Sequence, residues 1–345
     1  MNMTMIRQKA TLRDVAKAVG VHLSTVSRVM NPQTRHLMTD DIADRVLKAA
    51  KELGYTTNLI AASLRTNRSQ SIGVVVPDIT NPLFPPILMG IEDALTEADY
   101  TPIIANTRND PDRYRTVVNR LIGRQVDGLI FATVTRRDPV IEESLKTGIP
   151  IVVVNRRDDD ARVSSVINDD PRGIELAVGH VLALGHRRIA HVAGPQNLST
   201  GQARHFAFRN ALLSGGIEPD PRMIVFADSF TIEAGYEACR TLLEGNPAVT
   251  AIVAANDLLA LGCYDALKRN GLRCPEDVSV TGFNDMPLVD RVMPPLTTIR
   301  IRHHEIGEQA ARLLLNQINN GHSDCVDIVL KPELVIRKSV IPSIS

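Results

Sequence analysis

Residues 11–65 read TLRDVAKAVGVHLSTVSRVMNPQTRHLMTDDIADRVLKAAKELGYTTNLIAASLR. Leu12, Val15, Ala16 and Val19 recur at i, i+3, i+4 and i+7, the apolar stripe of a short helix. Gly20 then supplies a sharp exit. A second helical pattern, His22 to Met30, turns Val26, Val29 and Met30 inward and leaves Leu23, Ser24, Ser27 and Arg28 on the other face. A third helix is marked by Ile42, Val46, Ala49, Ala50 and Leu53, with Thr39 as its expected N-cap and Asp40 and Asp41 favourably placed against its dipole. Two short helices joined by a glycine turn and braced by a third form a helix-turn-helix. Ser24 and Arg28 share the face that would enter a major groove, and Arg can donate two hydrogen bonds to guanine. An ordinary three-helix bundle with a solvated Arg28 has the same spacing.

Charge separates the chain into two parts. Residues 1–68 hold eleven Lys/Arg against five acids, a net +6, while the whole chain is neutral. A basic head on an acidic body fits a head that meets phosphate. Aromatic residues are only 3% and Trp is absent, too few for the stacking platforms of a single-strand binder. At 345 residues the chain is long enough for two or three domains. There is no apolar run near the length of a membrane span. The N-terminal MNMTMIRQKA has no apolar core, so no secretory leader and a cytoplasmic location are expected. Cys239, Cys263, Cys274 and Cys325 are scattered and read as free thiols in a reducing compartment, not as a metal site.

The wording of the opening segment adds to this. TLRDVAKAVGVHLSTVSRVMN, ELGY and NLIAASLR resemble the DNA-binding headpiece of the LacI/GalR family of bacterial transcription regulators. The resemblance implies a headpiece over 1–57, then a hinge helix and linker over 58–69. It also implies that the hinge helix orders when two copies pair on DNA, with Leu64 wedged into the minor groove and Ala61 allowing close approach. Residues this short form only a marginal helix alone, and a plain linker is the alternative. The expected DNA-contact set is Thr11, His22, Leu23, Ser24, Arg28, Asn31, Thr39, Tyr55, Asn58, Ala61, Leu64 and Arg65.

From Ser71 the pattern changes. Short β-branched runs at 72–77, 100–106, 126–132, 149–155, 164–169, 187–194, 222–228, 251–257 and 278–285 alternate with helical stretches such as 84–97 and 112–124. Near-continuous apolar strands separated by helices mean parallel sheets covered on both faces. There are too many units for one compact sheet. The fold class is α/β, an all-α headpiece followed by two doubly wound lobes. IGVVVPDITNPLF, VDGLIFA, LGHRRIAHVAGP, AIVAANDLLALG, EDVSVTGFND and PPLTTIR resemble the effector-binding body of the same family, which is similar in fold to periplasmic sugar-binding proteins. That implies a body over 70–345, with an N-lobe of about 70–168 plus 300–321 and a C-lobe of about 169–298 plus 324–342. The crossovers fall near Asn168, Ile299 and Gly321.

Ligands of open α/β sheets sit beyond the carboxyl ends of the strands, here the cleft between lobes. The expected effector set is Asp78, Asn81, Phe84, Arg108, Asn155, Arg156, Asn168, Thr200, Arg204, Phe230, Asn256, Asp257 and Asn284. Each one singly is also readable as a loop side chain or a helix cap, and Asp257 and Asp285 especially so. The resemblance makes Phe84 the aromatic that packs a ligand ring and Arg204 the arginine that clamps the effector. The chain departs from the family pattern at four places. His22 stands for a capping serine, neutral Asn168 and Asn284 stand where acids are frequent, and Ala207 replaces a glycine. With acids lost and Arg108, Arg156 and Arg204 aimed at the cleft, an anionic effector such as a sugar acid or sugar phosphate is expected.

No phosphate loop, nucleophile elbow, zinc motif or dinucleotide loop is present, so neither enzyme activity nor a cofactor is expected. The resemblance implies a homodimer on a pseudo-palindromic duplex operator, released or tightened by a small molecule, with repression the commoner outcome for the family. No trailing heptad pattern follows IRKSVIPSIS, so no tetramerising helix is expected. A cytoplasmic solute-binding protein without a DNA role shares the two-lobed body; the basic headpiece counts against it.

Overall fold

The structure, a computed structural model, describes residues 10–55, 68–245, 248–321 and 324–343. Contacts divide the chain into two units, 1–69 and 70–345.

Among the described residues the first unit holds four helices: α1 (Leu12–Val19), α2 (Leu23–Met30), the short α3 (Pro32–Arg35) and α4 (Asp40–Glu52). Thr11 starts α1 with a reciprocal cap. Its hydroxyl accepts from the Asp14 amide at 3.4 Å, and its own amide donates to Asp14 Oδ2 at 2.8 Å. Gly20 ends the helix at φ 72°, a conformation glycine adopts without strain. Val15, Val19, Val26, Val29 and Val46 are buried together with Ala16, Ala43 and Ala50, so the apolar stripes of the three longer helices make one small core. Thr39 occupies the N-cap position of α4, but its side chain makes no capping bond, contrary to expectation; Asp40 and Asp41 in the first turn supply the favourable charge instead.

Among the described residues the body is built on three sheets. Six parallel strands form the first, in the order β11-β5-β4-β3-β1-β2. They are β1 (Ser71–Val76), β2 (Thr101–Asn106), β3 (Gly128–Phe131), β4 (Ile151–Val154), β5 (Ser164–Asn168) and β11 (Asp327–Leu330). The second sheet is parallel in the order β7-β6-β8-β9, from β6 (Ile189–Ala193), β7 (Ile224–Phe226), β8 (Ala251–Ala254) and β9 (Ser279–Thr281). A small antiparallel pair, β10 (Thr298–Arg300) with β12 (Glu333–Val335), lies where the chain passes between lobes. Helices α5 (Phe84–Glu97), α6 (Pro111–Gly123), α7 (Pro139–Leu145) and α12 (His303–Asn320) accompany the first sheet. Helices α8 (Asp170–Ala183), α9 (Ser199–Ser214), α10 (Ile232–Gly245) and α11 (Asp257–Arg269) accompany the second.

Strands β1, β3, β4, β6 and β8 are buried nearly throughout, as expected of parallel strands with both faces covered. The lobe limits read from sequence need one correction. Asp327–Leu330 was expected in the C-lobe, yet it joins the N-lobe sheet at the edge of β5. Ser164 and Ser165 fix it there: the Val326 amide donates to Ser164 Oγ at 3.1 Å and Ser165 Oγ donates to Asp327 Oδ1 at 2.5 Å. The chain returns to the C-lobe only after β12, where the Val280 amide bonds the Ser339 carbonyl. The backbone around Ala207 is regular; α9 runs unbroken through it.

Candidate functional site

The headpiece presents an exposed face at the start of α2. His22, Leu23, Ser24 and Arg28 are exposed, while Val26 and Val29 lie beneath them in the core. In the place of the capping serine, His22 Nδ1 accepts the Ser24 amide at 3.3 Å and lies 2.8 Å from Ser24 Oγ. The ring thus replaces the hydroxyl of the usual cap and couples two residues of the candidate face. Asn31 ends α2, and its carbonyl receives the amides of Thr34 and Arg35. Thr11 is exposed at the start of α1, and Thr39 at the start of α4. Tyr55 is half-buried against the headpiece core. Asn58, Ala61, Leu64 and Arg65 lie outside the described residues.

The body contains a cavity of about 730 Å³. Its walls come from the carboxyl ends of β1, β3 and β4 in one lobe and of β6, β8 and β9 in the other. It gathers Asp78, Asn81, Phe84, Asn155, Arg156, Thr200, Arg204, Phe230, Asn256 and Asn284 from the expected set. Three expected residues stand elsewhere. Arg108 is exposed on a tight turn with φ 57°. Asn168 is buried at the end of β5 outside the lining. Asp257 is buried and occupied internally: Oδ2 accepts the Met286 amide at 2.8 Å and Oδ1 accepts Thr298 Oγ1 at 2.5 Å. Burial pushes its carboxyl up to about 7, against the pull of those two donors.

The capping alternative applies to some lining residues without removing them from the cavity. Asn256 caps α11, its Oδ1 accepting the Leu259 amide at 2.8 Å. Asn81 Oδ1 accepts the Leu83 amide at 3.0 Å, and Asp78 Oδ1 accepts the Thr80 amide and hydroxyl. Phe84 and Phe230 give apolar area; Phe230 lies so close over Gly194 that a Cβ there would overlap its ring.

Arg204 is committed within the C-lobe. Its Nε donates to Asp170 Oδ1 at 2.9 Å, Nη2 lies 2.8 Å from the same oxygen, and Nη1 donates to the Ala255 carbonyl at 2.7 Å. The guanidinium stands 3.7 Å above the Phe283 ring. Burial raises the Asp170 carboxyl and Arg204 opposes that rise. Of the three guanidiniums expected to lack acid partners, Arg108 is outside the cavity lining, Arg204 has Asp170, and Arg156 remains.

Asn155 Oδ1 and Asn284 Oδ1 are buried at the cavity wall and make no hydrogen bond within the described chain. Both residues hold positive φ, 63° and 113°, which asparagine tolerates better than most and which is stored where a ligand would sit. Sequence reasoning missed Tyr114, Thr133, Asp138 and Asp170. Thr133 lies two residues past the end of β3, so the strand-end rule applied to that strand would have found it.

Known proteins show the same two parts. Residues 11–58 match the family described as bacterial regulatory proteins, lacI family, and residues 69–337 match the periplasmic binding proteins and sugar binding domain of LacI family. The chain is 33% identical to the HTH-type transcriptional regulator RegA of Clostridium saccharobutylicum over 96% of its length and 99% of that protein. It is 35% identical to DegA of Bacillus subtilis over 97% and 99%. Among solved structures, a lac repressor dimer bound to operator and the anti-inducer ONPF has a TM-score of 0.86 at 28% identity, covering 97% of this chain and 100% of that one. A CelR–cellobiose complex has a TM-score of 0.75 at 32% identity, covering 96% and 99%. Among the described residues no helix is long and apolar enough to cross a membrane, and no cluster of metal-binding side chains occurs. With its helix-turn-helix headpiece and its two-lobed body lining a cavity, this chain belongs to the LacI family of DNA-binding transcriptional regulators.

Proposed function

We propose that this chain is a cytoplasmic repressor, without enzyme activity, that binds a pseudo-palindromic operator as a homodimer and responds to a polyhydroxylated small molecule held between its lobes. The observation that carries the effector half is the pair of buried, unsatisfied acceptors, Asn155 Oδ1 and Asn284 Oδ1, facing a cavity that also holds Phe84 and Phe230. A buried polar atom without a partner costs about 1–3 kcal/mol, which a ligand hydroxyl would recover. Aromatic faces with convergent polar groups suit a sugar-like ring. The relatives support this chemistry: CelR was solved with cellobiose, and the lac repressor with operator and ONPF.

On the DNA side, His22, Ser24 and Arg28 would meet base edges and phosphates, with Thr11, Leu23, Asn31, Thr39 and Tyr55 flanking them. Asn58, Ala61, Leu64 and Arg65 would form the minor-groove hinge. A ligand needs only a different affinity for the DNA-competent and incompetent forms, typically 1–3 kcal/mol, to act as a switch. The test is selection of duplexes from a random pool by the purified full-length protein at moderate salt. Enrichment of a two-fold symmetric site is expected; recovery of unpatterned sequence at bulk affinity refutes the reading.

A further inference from the structure

We infer that the effector carries an anionic group, a carboxylate or a phosphate, and that Arg156 receives it. This rests on the cavity being the effector site. Arg156 follows β4 and lines the cavity. Among the described residues it has no carboxylate within 4.0 Å, unlike Arg204, which has Asp170, and Arg115, which has Glu143 at 3.1 Å. Its one hydrogen bond of note runs from Nη1 to the Thr133 carbonyl at 3.3 Å. Its Nε is enclosed and donates to nothing. Burial pulls its ionisation down to about 10 from a guanidinium's ordinary range, and the neighbouring Arg204 adds to the fall.

Two further donors adjoin it. The Tyr114 hydroxyl lies beside that of Thr133; both residues are buried, both line the cavity, and neither hydroxyl makes a well-formed hydrogen bond. An Nε–H without an acceptor, on a cation without a carboxylate partner and with a phenol and an alcohol next to it, is what an oxyanion needs. The Tyr114 phenol and then Asp138 oppose that fall, and Asp138 is the one carboxylate whose charge reaches Arg156. Its oxygens are already taken by the Thr135 amide and hydroxyl and by the Val140 amide. The other acids of the lining are half-buried (Asp78) or exposed (Asp110, Asp112, Asp228, Glu233), where water and salt screen them. Arg156 is half-buried, and a charge even partly withdrawn from water without a partner is costly, so a chain that keeps one at a cavity wall keeps it for a ligand. The neutral acceptors Asn155 and Asn284 then read hydroxyls on the same molecule.

The test is thermal unfolding of the full-length protein and its Arg156→Gln and Arg156→Lys variants at constant ionic strength, with glucuronate, glucose 6-phosphate and glucose as probes. Saturable stabilisation of about 2–4 °C or more by glucuronate or the phosphate, absent in Arg156→Gln and reduced in Arg156→Lys, is expected. Which of the two acts separates carboxylate from phosphate. Stabilisation by glucose alone, equal in all three proteins, overturns the inference and leaves the cavity as the effector site. If no probe acts, the unliganded proteins decide. Arg156→Gln melting at or above the wild-type temperature supports an uncompensated cation. A clear drop shows that Arg156 serves the fold, and overturns the inference.

Discussion

Arg204 and Asp170 are tied through one oxygen: Asp170 Oδ1 receives Nε at 2.9 Å and stands 2.8 Å from Nη2, with both side chains buried. Removing one member of a buried pair strands the other charge and typically costs about 3–5 kcal/mol, whereas replacing both with apolar groups is often neutral. Arg204→Met is therefore expected to lower the denaturation midpoint of the body sharply. The double variant Arg204→Met/Asp170→Leu should recover most of that loss. Equal destabilisation by the single and double variants in urea titrations would show that the pair is not the structural unit described.

The recognition face joins two roles through His22. Arg28→Ala is expected to lower affinity for the selected operator by about 1–3 kcal/mol while leaving bulk DNA binding nearly unchanged, since base contacts specify and phosphate contacts position. His22→Ala removes the cap of α2 as well and should destabilise the headpiece by about 1 kcal/mol; His22→Ser should restore it. Operator titrations beside helix melting separate the two effects. Equal loss on operator and bulk DNA for Arg28→Ala would contradict the assignment.

Asp257 gives a pH signature. Burial raises its folded ionisation from 3.8 to about 7, so between those values the folded chain holds a proton that the unfolded chain has lost. The stability it contributes is greatest below 3.8, falls as pH rises through the window, and is gone above about 7. Asp257→Asn cannot titrate. The wild-type minus variant stability should accordingly decline from pH 4 to pH 7 and then flatten; a difference independent of pH would contradict the burial argument.

Close packing of α5 on α12 depends on Gly90 and Gly307. A Cβ on Gly90 would overlap the His304 carbonyl, and one on Gly307 the Ile87 carbonyl. Neither neighbour is a flexible side-chain end, so the helices must part. Gly90→Ala is expected to cost about 1–3 kcal/mol, measured by chemical unfolding. A neutral substitution would show that the two helices have room to separate.

Much of this architecture can be read from residue order, because parallel strands buried on both faces leave continuous runs such as IGVVVP and AIVAAN. Asp327–Leu330 escaped because it is an edge strand: its faces are half solvated, and its place is set by Ser164 and Ser165 more than 160 residues earlier. The cavity was readable where polar residues follow strands, as at Asn155 and Asn284. It was not readable where partners come from elsewhere. Asp170 looks like another helix-start acid until Arg204 is seen against it, and Tyr114 looks like the apolar stripe of α6, which it also serves. Asp257 follows a strand by the same rule, yet its oxygens are spent on Met286 and Thr298, residues no spacing argument brings beside it.

Ligand binding in the cavity and DNA binding by the headpiece are proposed to be coupled. This coupling is tested most directly by titrating the selected operator with full-length protein at fixed salt, with and without a saturating cavity ligand, in wild type and in Asn284→Ala. The account predicts a shift in operator affinity of about 5–150-fold for wild type and little or none for the variant. A ligand that binds the cavity at saturation and leaves operator affinity unchanged would contradict it.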